Sequence, residues 1–177
     1  MDTLSNNGLT SIIIGNNMTS IEDYAFYNHI GLMSITIGNS VTSIGKYAFC
    51  ECKNLIFVFI GNNVTSIGEY AFDSCEGLTS LIIGNNVTDI EEGAFYGCTG
   101  LISIVLPQSI SNICHRAFSK CSNLKEVRFE STCPPNITND IFDRCPQLQN
   151  IYVPKKSINL YKESYKEFTF VDKIKGF

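Results

Sequence analysis

The chain has 177 residues, with 44% hydrophobic and 17% charged side chains and a formal net charge of −4. That is enough for one domain with a buried core, and it argues against disorder. No apolar stretch reaches the roughly 18 residues of a membrane-spanning helix, and the first twenty residues show neither the basic start nor the apolar run of a signal peptide.

Charge is unevenly spread. Residues 1–100 hold ten acidic and two basic side chains, a net of −8, whereas residues 101–177 hold seven acidic and eleven basic ones, a net of +4. Drift between repeats accounts for this, or else head-to-tail attraction or a polar partner. Basic patches interleaved with aromatics are missing, which argues against nucleic acid.

Residues 1–8 read as a short polar lead-in, truncated from something longer. From Leu9 a unit begins to recur. Leu9, Leu32, Leu55, Leu78, Leu101 and Leu124 stand 23 residues apart, and Leu148 follows after 24. The same step holds for Ile21, Ile44, Ile67, Ile90 and Ile113, and for the Ala-Phe pairs from Ala25-Phe26 to Ala117-Phe118; Ile141-Phe142 comes one residue late. The extra residue falls between Glu130 and Pro135, whose two prolines mark an irregular connection. Residues 9–147 therefore divide into six repeats, and residues 148–177 supply a closing strand and a helical cap.

Each unit reads as a strand, a turn and a short helical return. In the fourth, Leu78, Leu81 and Ile83 face inward along the strand, and Gly84-Asn85-Asn86 make a turn from residues that tolerate left-handed backbone. Glu92 to Cys98 then returns as a short helix or 3₁₀ turn. Ser20-x-x-Asp23 and Ser66-x-x-Glu69 have the form of a helix capping box, and Asp89-x-x-Glu92 offers the same device with a different cap. Glu91-Glu92 stand where the positive end of such a helix would favour them. A unit this small buries its apolar side only by stacking on its neighbours. The expected fold is an α/β repeat solenoid, with a parallel sheet on one face and short helices or 3₁₀ turns on the other.

At the C-terminus Ile158, Tyr161, Tyr165 and Phe168 recur at spacings of three and four, with Lys162, Glu163, Lys166 and Glu167 between them. That is the stripe of an amphipathic capping helix. The polar N-terminus supplies no equivalent, so upstream sequence, another segment or a second subunit is expected over that end.

A period of about 20–29 residues with the pattern L-x-x-L-x-L belongs to leucine-rich repeats. The fuller unit, Leu-x-x-Ile-x-Ile-Gly-Asn-x-Val-Thr-Ser-Ile-Gly-x-Tyr-Ala-Phe-x-x-Cys, resembles the BspA-like members, and Pro107 stands where that subfamily often places a proline after the strand. Val87 follows Asn86 at once, where the wider family leaves one residue between its Asn and the next apolar side chain. The closing Ile151-Tyr-Val-Pro154-Lys-Lys-Ser157 with Tyr161-Lys162 is similar to the end of bacterial members. The resemblance implies surface or secreted proteins of host-associated microbes that bind other macromolecules.

Cys52, Cys75, Cys98, Cys121 and Cys145 share one repeat position, taken by His29 in the first unit. Coils stacked at about 4.8 Å put them in an inward column, as buried thiols, as one or more disulfides, or least plausibly as metal ligands, since metal-ligand spacings are missing. Of Cys50, Cys114 and Cys133, which lie off the column, Cys50 is expected to be exposed. No nucleophile, phosphate-loop or zinc-hydrolase motif occurs, and His29 and His115 lie four coils apart. No enzymatic activity and no cofactor are expected. The N-x-(Ser/Thr) sequons at Asn17, Asn63, Asn86 and Asn136 mostly follow from the repeated turn, where Asn is expected to bond local backbone.

What remains is the outward side of the strands. There Ile56, Phe57 and Phe59 cluster with Ile82, Ile102 and Val105, margined by Lys125, Glu126 and Arg128. An apolar group with a polar rim is the form of a protein-binding face, although β-branched and aromatic residues suit any strand. The expected function is non-enzymatic binding of a protein at a cell surface or in secretion. Alternatives are a structural spacer that positions another domain, a cytoplasmic scaffold, and end-to-end or edge-mediated self-association.

Overall fold

A computed structural model describes residues 8–15 and 17–177, so the lead-in, apart from Gly8, lies outside the described residues. Each coil contributes two short strands. In chain order they are β1 (Ser11–Ile14) and β2 (Ser20–Ile21), β3 (Ser34–Ile37) and β4 (Ser43–Ile44), β5 (Phe57–Ile60) and β6 (Ser66–Ile67). Then follow β7 (Ser80–Ile82) and β8 (Asp89–Ile90), β9 (Ser103–Leu106) and β10 (Asn112–Ile113), β11 (Glu126–Phe129) and β12 (Asn136–Ile137). The closing part consists of β13 (Asn150–Val153), the helix α1 (Ile158–Ser164) and β14 (Ile174–Gly176). The result is a parallel β-solenoid of about seven coils, closed by that short helix.

Pairing keeps the sequence period. Ile12 lies opposite Ile35, Ile35 opposite Val58, and Val58 opposite Leu81, so every rung joins the same repeat position. Alternation along each strand sends these residues inward and their neighbours outward. The core is a set of columns. Leu32, Leu55, Leu78, Leu101 and Leu124 form one, fully buried, and Ile44, Ile67, Ile90 and Ile113 another. The phenylalanines stack face to face: Phe26–Phe49, Phe49–Phe72, Phe72–Phe95 and Phe95–Phe118 have centroids 5.1, 5.0, 5.3 and 5.3 Å apart. The next step, Phe118 to Phe142, widens to 6.0 Å with planes tilted by 28°, where the additional residue enters.

Two local expectations need correction. The segments read as capping boxes are strands: Ser20, Ser66 and Asp89 open β2, β6 and β8, and these join a six-stranded parallel ladder. The return that follows is a chain of i→i−3 turns, such as Tyr27 N–H to Tyr24 O at 3.1 Å, bound to the next coil by bonds such as Phe49 N–H to Ala71 O at 2.7 Å. Tyr24, Tyr47, Tyr70 and Arg116 interrupt it in left-handed conformation, which no continuous right-handed helix accommodates. Glu92 accordingly serves no helix end, and accepts the Tyr70 hydroxyl at 2.8 Å.

The Gly-Asn-Asn turn forms, with Val87 N–H donating to Gly84 O at 3.3 Å, but its expected left-handed backbone is the second correction. No Gly84, Asn85 or Asn86 is among the positive-φ residues. Glycine is needed for closeness instead. A Cβ on Gly61 would meet the carbonyl oxygens of Gly38 and Ile37 at 2.7 Å, and one on Gly84 would strike the Gly61 carbonyl. The asparagines bond between coils, with Asn62 and Asn85 N–H donating to the Oδ1 of Asn39 and Asn62 at 2.8 and 3.0 Å.

The column cysteines are free thiols. Each donates to the carbonyl of the phenylalanine one coil back: Cys52 to Phe26, Cys75 to Phe49, Cys98 to Phe72, Cys121 to Phe95, and Cys145 to Phe118, at 3.1–3.3 Å. Burial holds the Cys75, Cys98 and Cys121 thiols well above their usual pKa. Cys50, expected at the surface, is buried at 4% exposure with its Sγ 3.7 Å from Asp73 Oδ2, because the next coil folds over it. The exposed thiol is Cys133, in the irregular connection.

The cap follows the apolar stripe, though α1 ends at Ser164 and leaves Tyr165 and Phe168 on the turn beyond it. Tyr161 and Tyr165 are buried and donate to the backbone carbonyls of Ser131 and Pro135 at 2.9 and 2.7 Å. β14 then pairs with β13 and covers the strand edge. No described helix is long and apolar enough to cross a membrane.

Candidate functional site

The outer face of the main sheet carries every residue of the expected cluster. Ile56, Ile82, Ile102 and Val105 are 43%, 47%, 50% and 51% exposed, and Phe57 and Phe59 are partly buried against their neighbours. Pairing explains their grouping: Phe57 lies between Ser34 and Ser80, and Phe59 between Thr36 and Ile82. Along the same columns further on, Val105 lies opposite Arg128, and Arg128 opposite Tyr152.

The charged margin is partly spent within the molecule. Arg128 Nε contacts Glu130 Oε1 at 2.6 Å, and its guanidinium sits 3.6 Å from the centre of the Phe177 ring. Glu126 accepts the Asn150 side-chain amide at 3.3 Å. Lys125 remains exposed and forms no ion pair among the described residues. Phe177 belongs to this surface although it lies far along the chain; nothing in the repeat signals it, since β14 falls outside the period.

The face is not continuous. β1, β3, β5 and β7 form one four-stranded sheet, and β9, β11, β13 and β14 a second, with no pairing between β7 and β9. The expected cluster is thereby divided: Ile56, Phe57, Phe59 and Ile82 lie on the first sheet, and Ile102, Val105, Lys125 and Arg128 on the second. A cavity of about 680 Å³ opens at the division, lined by Leu81, Ile82, Ile83, Val105 and Pro107, with Asn85, Gln108 and Glu130 around it. Leu81 is only partly buried there, whereas its counterparts Ile35, Val58 and Ile104 are buried.

Two features stand at the break. After the strand, the Gly38 N–H donates to Ile14 O at 2.9 Å and the Glu130 N–H to Leu106 O at 3.0 Å. Pro107 has no N–H to offer Ile83 O. Its ring also occupies a position at which Gly61 and Gly84 stack without room for a Cβ.

Groups that do chemistry elsewhere are scattered. His115 Nδ1 lies 3.3 Å from Asp140 on an exposed surface, and His29 packs edge-on against Phe26. Burial beside Asp73 pushes the Cys50 thiol up to about 12, which leaves it protonated and unreactive. No group of three or more His, Cys, Asp or Glu side chains able to hold a metal ion occurs among the described residues.

Comparison with known proteins bears on the whole chain. The family model for the BspA type leucine-rich repeat region matches in six copies, over residues 2–113 and 89–175. A leucine-rich repeat protein from Bacteroides ovatus is 31% identical with a TM-score of 0.80, covering 96% of this chain and 43% of that one. A leucine-rich cell surface protein from Faecalibacterium prausnitzii is 25% identical with a TM-score of 0.63, covering 81% of this chain and 47% of that one. The T. pallidum leucine-rich repeat protein, 21% identical with a TM-score of 0.75 over 96% of this chain and 86% of its own, shares the fold. The chain thus spans less than half the length of the B. ovatus and F. prausnitzii proteins. No curated protein matches it.

Proposed function

Because the chain belongs to the BspA-type leucine-rich repeat family, we propose that it is a non-enzymatic protein-interaction module that binds its partner through the outer face of the main sheet. The observation that carries this reading is the set of half-exposed apolar side chains, Ile56, Ile82, Ile102 and Val105, beside Phe57 and Phe59 on one solvent face. Covering the exposed part of each contributes about 1–2 kcal/mol, before the cost of association. The similarity to a leucine-rich cell surface protein of F. prausnitzii supports the same compartment for this one.

Binding of the labelled domain to a panel of purified surface and matrix proteins tests the reading. A Phe57→Ser/Phe59→Ser variant is expected to lose about tenfold or more in affinity. Its unfolding midpoint should change little, since neither ring is in the core. Undiminished binding by the folded variant would assign the solenoid to the spacer role instead.

A further inference from the structure

We propose that the cleft between β7 and β9 is the anchor pocket of the outer face, and that it takes a single tyrosine or tryptophan side chain of a partner protein. The proposal deepens the outer-face reading and rests on it for the partner, whereas the pocket itself can be tested without one.

Incomplete burial of the core marks the place. Ile35, Val58, Ile104, Val127 and Ile151 occupy the repeat position of Leu81 in other coils and are all buried, whereas Leu81 is only partly so. Two residues on, Ile83 is 8% exposed where Ile37, Ile60 and Leu106 are at 0%. A group that fills the cleft completes the burial of these two core side chains and covers part of Ile82 and Val105 at its mouth.

The stack limits what can enter. β8 pairs with β10, and Phe95 stacks on Phe118 at 5.3 Å, so coils four and five stay one step apart behind the cleft. Such a step has no room for a further strand. What it leaves is the cavity of about 680 Å³ at the C-terminal ends of β7 and β9, within the ~300–1,000 Å³ typical of ligand pockets. Ile82 and Val105 belong both to this cavity and to the outer face. A protein lying on that face therefore brings its anchor to the cleft and shields it from water, which a free small molecule does not.

The rim selects the chemistry. One carboxylate oxygen of Glu130 accepts the Arg128 Nε–H, and the other has no partner among the described residues. The side-chain amides of Asn85 and Gln108 are exposed and likewise unbonded among them. An aliphatic anchor would cover these groups without pairing them, which is costly once water is excluded. A lysine or arginine would stand close to Arg128, and an aspartate or glutamate close to Glu130. A tyrosine O–H or tryptophan N–H supplies a neutral donor on an apolar ring, which suits a site that is dry at its floor and wet at its rim. Rings of this kind, seated in a pocket, are the common form of an interface hot spot.

Methyl NMR on the whole domain, titrated with N-acetyltyrosinamide, tests this. Shifts are expected at the methyls of Leu81, Ile83 and Val105, with an affinity in the millimolar range. N-acetylphenylalaninamide lacks the hydroxyl and should bind about fivefold more weakly, and Glu130→Ala should abolish that difference. Val105→Phe places a ring of its own in the cleft and should weaken the tyrosine probe by about tenfold or more. Phe57→Ser/Phe59→Ser should leave probe binding unchanged, so failure of the outer-face reading is told apart from failure of the pocket. A partner found with the protein panel should lose about fivefold in affinity for Glu130→Ala. The proposal is overturned by any of four results: no probe shifts at these methyls, equal binding of the two probes by the wild-type domain, unaltered binding by Val105→Phe, or a partner indifferent to Glu130→Ala, which would leave the cleft to a free phenol.

Discussion

Coils one to four and coils five to seven share a period and a core, yet their turns and surfaces are built differently. In the first block glycines stack backbone to backbone at Gly61 and Gly84, asparagines bond from coil to coil, and Tyr24, Tyr47 and Tyr70 stack at 5.0 and 5.2 Å. In the second, Pro107 and Glu130 replace the glycine, Arg116 replaces the tyrosine, which Gly93 already replaces in coil four, and α1 with β14 closes the end. The switch in charge, from −8 over residues 1–100 to +4 over the rest, falls at the same place. The main ladder breaks there, while the second ladder and the phenylalanine stack continue. What holds consecutive coils together is thus the core and the narrow ladder; the main sheet can lose a rung.

The strongest way to break this comparison is to remove what the blocks share. Phe95 is fully buried between Phe72 and Phe118 and spans the division. Phe95→Ala should cost about 3–5 kcal/mol. Urea unfolding followed separately in the two blocks should show both lost in one transition at a lower midpoint. Two separated transitions would mean that the continuous core does not couple them. A smaller effect sharpens the difference in turns. Gly61→Ala puts a Cβ against the Gly38 and Ile37 carbonyl oxygens and should cost about 1–3 kcal/mol. Glu130→Ala, at the equivalent position of the second block, already has space for its Cβ and should cost far less by the same measurement.

The period made the stack, its inward columns and its outward face legible, because each column is one residue type repeated. Positions whose role depends on the neighbouring coil were not legible. The strands β2 to β12 are only two residues long, as in Thr-Ser-Ile of the first three coils, and in three coils they were masked by the more familiar capping-box pattern. Cys50 lies off the cysteine column and reads as outward, but Asp73 of the following coil covers it. Pro107 was visible as a feature of the repeat. Pro154 stands at the same repeat position beside an intact β11–β13 pairing, so a proline there does not by itself reveal the break. The outer-face residues were placed correctly, while their division between two sheets required knowing where pairing stops.

The mildest perturbation should act on one block alone. Tyr161 donates its hydroxyl to Ser131 O at 2.9 Å and lies 3.2 Å from Cys133 O, inside the cap. Ser131 Oγ also donates to Cys133 O at 2.7 Å, so only the Ser131 carbonyl loses its side-chain donor in Tyr161→Phe. The ring stays in place against Phe129 and Tyr165, whose centres are both 5.7 Å away. About 1 kcal/mol of stability should be lost. Hydrogen exchange should locate it: amides of β11 and β13 exchange faster, and those of β3 and β5 keep their wild-type rates. Equal acceleration in both blocks would show that the cap is felt through the whole stack, across a gap where the main sheet carries no bond.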